Sequence, residues 1–151
     1  MKNNLYPEGE DFSLYEVEKE NKYDETDRNS YLFDFKKGDF VKNSDGTFIR
    51  CSPSKAHEQW CQKVMLTPRF KKLAYPDYIG HEYGELINSN LSKSAIELEL
   101  QRMTIEALMV HPKTLNVGNF IFNWIEDGIM FVYEVENTDK ERFKIGNKIR
   151  Y

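Results

Sequence analysis

The stretch that most constrains the fold is residues 97–119, where a long apolar helical pattern ends at His111-Pro112-Lys113 and strand-like residues follow at once. The ring of Pro112 disfavours helical geometry at His111, so we expect the helix to stop there. The order of these segments predicts a central helix, a short turn and a strand pair. Nothing in this stretch is typical of a catalytic motif.

The central helix has a recognisable start. Ser94 and Glu97 match a capping box, in which each side chain satisfies the other residue's free backbone amide. Leu98, Ile105 and Met109 lie well off the main apolar face, so we expect the helix to be covered on more than one side. The residues of that main face are Ile96, Leu100, Met103, Ala107 and Leu108.

Two runs with strand-like alternation come after the turn. Phe120, Phe122 and Trp124 share one face of the first run, and a turn follows at residues 126–128. Four apolar residues of the second run share another face, namely Ile129, Phe131, Tyr133 and Val135. The pattern predicts a C-terminal β-hairpin, the strongest strand pair in the chain. Whether residues 141–151 add a further strand is left open.

The first half of the body contains shorter elements. Residues 31–49 predict three short strands separated by glycine-containing turns. A helix is predicted to start with Ser52 as its cap and Pro53 at its first position, with Trp60 as its core anchor and its end at Thr67-Pro68.

The segment that follows this helix, residues 69–90, is rich in loops and aromatic side chains. A short helix is predicted near residues 81–87. The aromatic side chains here are Phe70, Tyr75, Tyr78 and Tyr83. They suggest either packing between a helix and a sheet or a platform for stacking on sugars or bases, and we favour packing.

Composition supports one domain with an arm. The chain has 151 residues, 40 % of them hydrophobic and 14 % aromatic, enough for a core without disulfides or metals. Residues 1–29 hold 9 Asp/Glu and 4 Lys/Arg, a net charge of −5, which leaves +1 on the rest of a chain whose total is −4. We therefore expect an acidic extended N-terminal arm at 1–29, either disordered or ordered on contact, and one domain at 30–151. The predicted class is α+β, a small antiparallel sheet packed with two main helices and a C-terminal hairpin.

Several functional classes lack their usual signals. A sequence pI near 5.5 without a Lys/Arg cluster argues against direct binding of nucleic acid. No apolar run approaches the roughly 20 residues of a membrane span, so we expect a soluble protein, assembled in the cytoplasm. Cys51 and Cys61 are read as reduced packing residues, and the three histidines do not have metal-ligand spacing. No cofactor, metal or catalytic residue is predicted.

Two segments in a fixed order resemble a known family. In QWCQKVMLTPRFKKLAYPDYIGHEYGELI, residues 59–87, a helix ends in Leu-Thr and a loop leads to an aromatic-Gly pair before a short helix. Residues 96–135 add a helix, an X-Pro-basic turn and a hairpin. This order, over residues from about 53 to 136, resembles the sheath-initiator or baseplate-wedge proteins of contractile phage tails, tailocins and type VI secretion, historically labelled lysozyme-like. The resemblance is greatest to the branch of Gram-positive prophages and phage-tail-like bacteriocins.

The resemblance implies a structural baseplate protein of a contractile tail or injection particle. Such a protein joins the baseplate wedge to the first sheath ring and nucleates sheath assembly, with many copies in a ring around the tube. Its implied partners are the sheath protein, wedge proteins, and tube or hub proteins.

The turn is the first implied interface. The family's usual turn is Glu-Pro-Arg, and the wedge contact carries over to His111, Pro112 and Lys113 without the acidic role at His111. The same turn is also ordinary punctuation of a helix end, where cations are favoured by the helix dipole.

The hairpin is the second implied interface. A strand pair has edges with unpaired N–H and C=O groups, to which a sheath arm can add by main-chain hydrogen bonding. The sheath-facing candidates are Val117, Asn119, Ile121, Asn123, Met130, Val132 and Glu134.

Two alternatives stay open. The old lysozyme label suggests a muramidase, which needs two carboxylates about 5 to 9.5 Å apart, one of them in an apolar setting. The candidate pairs are Glu99 with Glu106 and Glu82 with Glu85, and a solvated face explains either pair more simply. A small intracellular adaptor or regulator with the same fold is the other alternative.

Overall fold

A computed structural model describes residues 30–87 and 89–150, so the predicted arm at 1–29 lies outside the described residues. The fold is α+β, as predicted. Its largest unit is a three-stranded antiparallel sheet in the order β5-β6-β7. The elements are β1 (Ser30–Tyr31), β2 (Phe33–Asp34), β3 (Asp39–Phe40), β4 (Arg50–Cys51), α1 (Pro53–Leu66), α2 (Tyr83–Ile87), α3 (Lys93–Met109), β5 (Thr114–Ile125), β6 (Gly128–Asn137) and β7 (Arg142–Arg150).

The N-terminal strands are shorter and more numerous than predicted. β1 pairs with β4 and β2 with β3, each over two residues, and an isolated bridge joins Lys42 to Phe48. The expected turns are present at Gly38 and Gly46, both with positive φ. The amide side chain of Gln59 ties this region to α1, because it accepts from the Phe33 N–H and its Nε2 donates to the Tyr31 carbonyl at 3.2 Å.

Helix α1 has the predicted ends, but Trp60 is not its anchor. The Ser52 hydroxyl accepts from the Lys55 N–H at 3.3 Å, and Pro53 occupies the first helical position. Trp60 is partly buried and packs on His111, whose ring centroid lies 4.5 Å away. The side of α1 that faces the core instead passes through Gln59 and Cys61, on either side of Trp60 in the sequence. The buried residues of α1 are His57, Gln59, Cys61, Val64 and Met65.

Helix α3 starts two residues before the predicted capping box. Its cap is Ser92, whose side chain accepts from the Ala95 N–H at 3.3 Å, so the prediction of a cap at Ser94 is wrong. Glu97 has a different role, because its Oε1 accepts from Trp124 Nε1 at 2.7 Å. The cap position therefore gives α3 an extra half turn, and Glu97 links the helix to β5.

The predicted cover over the second side of α3 is present only at Ile105, which is partly buried against the core. Leu98 is 67 % exposed and Met109 is 45 % exposed. The main face is confirmed, since Leu100, Ala107 and Leu108 are buried. Apolar residues on a second side of a helix thus do not show that another part of the same molecule packs there.

The C-terminal sheet has one core face, not two. Phe122 lies directly opposite Phe131, and residues opposite each other in an antiparallel pair point to the same side. The two predicted faces are therefore halves of the same surface. A bulge between Gly118 and Ile121, with Asn119 at φ 55°, shifts the alternation of β5, so Val117 also points inward and pairs with Val135.

The inner face of this sheet packs on α1 and α3. Helix α3 contacts β5 and helix α1 contacts β7. Asn147 Nδ2 donates to the Met65 carbonyl at 3.4 Å, which fixes the end of α1 against β7. The most deeply buried large side chains are Tyr133, Phe131, Leu100, Leu108 and Val64. Within the described residues, no helix is long and apolar enough to cross a membrane.

Candidate docking sheet and turn

The outer face of the three-stranded sheet carries an exposed apolar stripe. Ile121 is 69 % exposed, Met130 43 % and Val132 39 %. Ile121 and Val132 are direct cross-strand partners, and Met130 follows two residues from Val132 on the same face. Gly146 lies opposite Val132 on β7, where a missing side chain leaves the stripe uncovered. We call Ile121, Met130 and Val132 the outer stripe.

A row of cations borders the outer stripe on β7. Its four members, Arg142, Lys144, Lys148 and Arg150, alternate with inward residues along the strand and are all exposed. Arg142 pairs with Glu136 at 3.2 Å, while Lys148 and Arg150 pair with the same carboxylate at 3.5 and 3.1 Å. That shared carboxylate is Asp127. Among the described residues, Lys144 has no carboxylate within ion-pair distance. We call these four residues the cationic row.

Strand β6 is paired on both sides, so the edges of the sheet are β5 and β7. β7 keeps one continuous register with β6 over all nine residues, whereas the register of β5 shifts twice. At the hairpin end that joins β6 to β7, the Asn137 N–H donates to the Glu141 carbonyl at 3.0 Å. Asn137 and Glu141 are therefore a hydrogen-bonded pair of the ladder. Since bonded and non-bonded pairs alternate in an antiparallel ladder, the N–H groups of Lys144 and Lys148 point away from β6. Among the described residues, β7 therefore offers a regular edge that no strand pairs with.

The turn after α3 places its three residues differently. His111 lies inward, and its ring centroid is 4.8 Å from that of His57. Its Nδ1 accepts from the Lys113 N–H at 3.1 Å. Pro112 is exposed, and the Lys113 carbonyl accepts from the Thr138 N–H at 3.0 Å. The turn is thus bonded to the end of β6, with Pro112 on its outside.

Burial holds His111 and His57 in their neutral forms. Desolvation, then the neighbouring His57 and Lys113, lowers the pKa of His111 to about 4. Desolvation, then Lys113, lowers the pKa of His57 to about 4 as well. His57 Nε2 is 2.9 Å from Thr114 Oγ1, so the ring also ties α1 to the start of β5. The position that carries a Glu in the family's usual turn is here part of internal packing.

Cys61 lies beside His57 in a pair that superficially resembles a cysteine nucleophile and its base. The Cys61 sulfur is 3.6 Å from His57 Nε2, but the side chain is fully buried. Burial, and then Glu58, raises the pKa of the Cys61 thiol to about 12, so the reactive thiolate is disfavoured. This pair is therefore a packing contact between consecutive turns of α1.

Three of the four candidate muramidase carboxylates form ion pairs. Arg102 bridges Glu99 at 2.9 Å and Glu106 at 2.9 Å along α3. Arg69 joins Glu106 at 3.2 Å to Glu82 at 3.1 Å, and so ties the loop after α1 to α3. Glu106 from one predicted pair and Glu82 from the other thus meet at Arg69, where they link α3 to the loop after α1.

The outer face contains five of the seven sheath-facing candidates as exposed residues, namely Asn119, Ile121, Asn123, Met130 and Val132. Glu134 is half-buried and holds Asn119 and Arg142. Val117 is 5 % exposed and belongs to the core. No candidate was predicted on β7, although the alternation of Phe143, Ile145 and Ile149 with charged residues is a strand signal that could have found it.

The described residues form a small α+β protein, with a sheet packed on one face by helices and an exposed apolar stripe on the other face. The sequence matches the model of a family, the contractile injection system sheath initiators, over residues 29–140. The chain therefore belongs to the sheath-initiator family, and its role is structural, in sheath assembly of a contractile injection particle. No curated protein matches the chain significantly.

Proposed function

We propose that this protein joins the baseplate wedge to the first sheath ring and nucleates the sheath by strand addition. The observation that carries the proposal is the free edge of β7, which keeps an unbroken register with β6 over nine residues. A sheath arm that adds there would gain main-chain hydrogen bonds without displacing any strand of the sheet. The proposed template is therefore β7, the strand next to the predicted hairpin of β5 and β6.

The outer face supplies the side-chain part of the same contact. The outer stripe lies on β6 and β5, one and two strands from the β7 edge, so an added arm that curls over the sheet would cover Val132 and then Ile121. The exposed candidates Asn119 and Asn123 lie beside it. Backbone pairing then provides affinity and the outer face provides specificity.

The wedge contact is proposed for Pro112 and Lys113. Pro112 is exposed at the end of α3, and the Lys113 backbone is fixed to the end of β6. His111 contributes by packing the turn against α1. With the turn and the β7 edge on one rigid body, the wedge sets the position of the sheath template. Many copies in a ring, around tube or hub proteins, supply avidity even where each contact is weak.

The proposed role needs no catalysis and no cofactor. Ion pairing accounts for Glu82, Glu99 and Glu106, and burial suppresses the thiolate of Cys61. We therefore propose a non-enzymatic baseplate component, assembled in the bacterial cytoplasm with sheath and wedge proteins.

A proline substitution on β7 tests the template. Lys144→Pro removes an N–H that points away from β6, so the ladder within the sheet keeps its hydrogen bonds while the free edge loses a donor. In a producing strain that lacks its own copy, we expect baseplates and tubes without extended sheath in electron micrographs.

The matched control is Lys144→Ala, which removes the same charge and keeps the N–H. We expect normal sheath with this variant. Circular dichroism and thermal melting of both purified variants must show the same fold. Full-length sheath on particles that contain folded Lys144→Pro protein would rule out strand addition at β7.

A further inference from the structure

The outer face of the sheet has the chemistry of a seat for an acidic, aromatic segment. Its outer stripe is apolar, and β7 contributes four cations against three carboxylates of the body that pair with them, Asp127, Glu134 and Glu136, which leaves Lys144 without an ion pair among the described residues. Cations on an edge strand also deter edge-to-edge pairing between molecules. That protective role explains the cations but not the three exposed apolar side chains of the outer stripe beside them.

The same chain contains a segment of complementary composition. Residues 1–29 have a net charge of −5 and carry four aromatic side chains at wide spacing. These are Tyr6, Phe12, Tyr15 and Tyr23. Acidic groups would face the cationic row and aromatic rings would cover the outer stripe, so both features of the seat have a counterpart in the arm.

The point where the arm leaves the body suits this occupant. Ser30, the first described residue, pairs with Cys51 just before α1. The hydroxyl of Ser54 accepts from Asn137 Nδ2 at 3.1 Å, which places the start of α1 at the end of β6. β7 begins at this same end of the sheet, with Arg142 opposite Glu136. The root of the arm therefore lies near the first member of the cationic row.

The arm is also long enough. Twenty-nine residues span up to about 100 Å when extended, whereas the nine residues of β7 span about 30 Å. The outer face is within reach of the arm of the same molecule, with length to spare for the passage around the edge of β7.

We propose that the acidic arm, residues 1–29, docks on the outer stripe and cationic row of its own molecule in the free protein. The arm then shields the apolar outer face and the β7 edge from wrong partners. A further consequence, that an incoming sheath arm must displace it, rests on the proposed function above. The docking itself does not.

Zero-length carbodiimide coupling of the full chain tests the docking, because it joins a lysine amine to a carboxylate only in direct contact. The reaction uses an equal mixture of ¹⁴N- and ¹⁵N-labelled protein, so links within one molecule differ in mass from links between molecules. Lys148 to Asp127, an ion pair of the body at 3.5 Å, is the internal reference. We expect Lys144 and Lys148 to couple to carboxylates of residues 1–29 within one isotopic species.

These links should exceed, by several-fold, the links from the arm to Lys71 and Lys72, which are exposed lysines elsewhere on the body. They should fall sharply at about 1 M salt, where charge screening acts within about 3 Å. Coupling spread evenly over all exposed lysines, or confined to links between isotopic species, would overturn the proposal. The second result would assign the seat to a neighbouring copy's arm.

Two matched variants test the apolar part of the seat. Ile121→Asp places a carboxylate in the outer stripe, at a side chain that is 69 % exposed, and should reduce the arm links to Lys144 several-fold. Leu73→Asp makes the same change at a fully exposed loop residue and should leave them unchanged. Equal coupling in both variants would contradict docking on the stripe. None of these outcomes bears on sheath growth with Lys144→Pro, so the two proposals fail separately.

Discussion

The two faces of the C-terminal sheet are made from the same three strands, but one is buried in the core and the other is exposed. The inner face contains Phe131 and Tyr133, which are at most 1 % exposed, whereas Val132 between them is 39 % exposed. Alternation along β6 thus assigns consecutive residues to a packed core and to an exposed apolar face. The comparison teaches that the core and the face proposed for docking are encoded in one segment but in separable positions.

The largest expected effect breaks the inner face alone. Phe131→Ala should lower the free energy of unfolding by about 3–5 kcal/mol, because it removes a buried ring that contacts Tyr83 and Phe122 and leaves a cavity. Urea denaturation followed by circular dichroism measures this loss.

The neighbouring residue is the control for that change. Val132→Ala, on the outer face, should alter the unfolding free energy by no more than about 0.5 kcal/mol. A loss of similar size in the two variants would mean that the outer face is covered by something that contributes to stability, and the division between the faces would fail.

Two glycines in the same sheet offer a smaller test. A Cβ at Gly128, where φ is 155°, would lie 1.9 Å from the Ile149 carbonyl oxygen, so Gly128→Ala forces the start of β6 away from β7. We expect a loss of about 1–3 kcal/mol in unfolding free energy. At Gly146 a Cβ would meet Val132 Cγ2 at 3.6 Å, an ordinary contact.

Gly146→Ala is therefore the matched control, and thermal melting should leave its midpoint near that of the parent protein. The comparison is sharpened if only the substitution at Gly128, whose Cβ would clash with the backbone of β7, lowers the melting temperature. If Gly146→Ala proved as harmful as Gly128→Ala, the outer face near β7 would be more tightly packed than the structure describes.

The sequence predicted the large elements well, because they follow from strong local signals. Pro53, Pro112 and the alternation of residues 120–135 each fix an element through local sterics or through period. The two helices, the hairpin and the α+β class are confirmed. The family resemblance is confirmed too, and it came from the order of these elements.

The failures concern contacts that local signals do not determine. The local capping box favours Ser94, but the helix is capped by Ser92, and Glu97 instead accepts from Trp124, a contact that exists only in three dimensions. Val117 was assigned to the docking face because strict alternation was assumed, and the bulge at Asn119 reverses it. Whether residues 141–151 form a strand stays open in the sequence reading, although Phe143, Ile145 and Ile149 alternate with charged residues.

The histidines give the comparison its most subtle test, since their effect is absent at neutral pH. His57, His81 and His111 all have a pKa lowered to about 4, in each case chiefly by desolvation. In the unfolded chain a histidine titrates near 6.5. Between pH 6.5 and about 4 the unfolded state therefore binds more protons than the folded state, so stability should fall as the pH is lowered through this range.

We expect the melting temperature to be nearly constant above pH 7 and to decrease from pH 6.5 to pH 4.5. His57→Gln should reduce this decrease, because one buried histidine no longer takes up a proton on unfolding. Lys144→Ala, on the outer face, removes a charge that does not titrate in this range and should leave the slope unchanged. A melting temperature that rises on acidification would contradict the assignment of neutral histidines in the folded protein. A slope altered by Lys144→Ala would show that the two faces are electrostatically coupled.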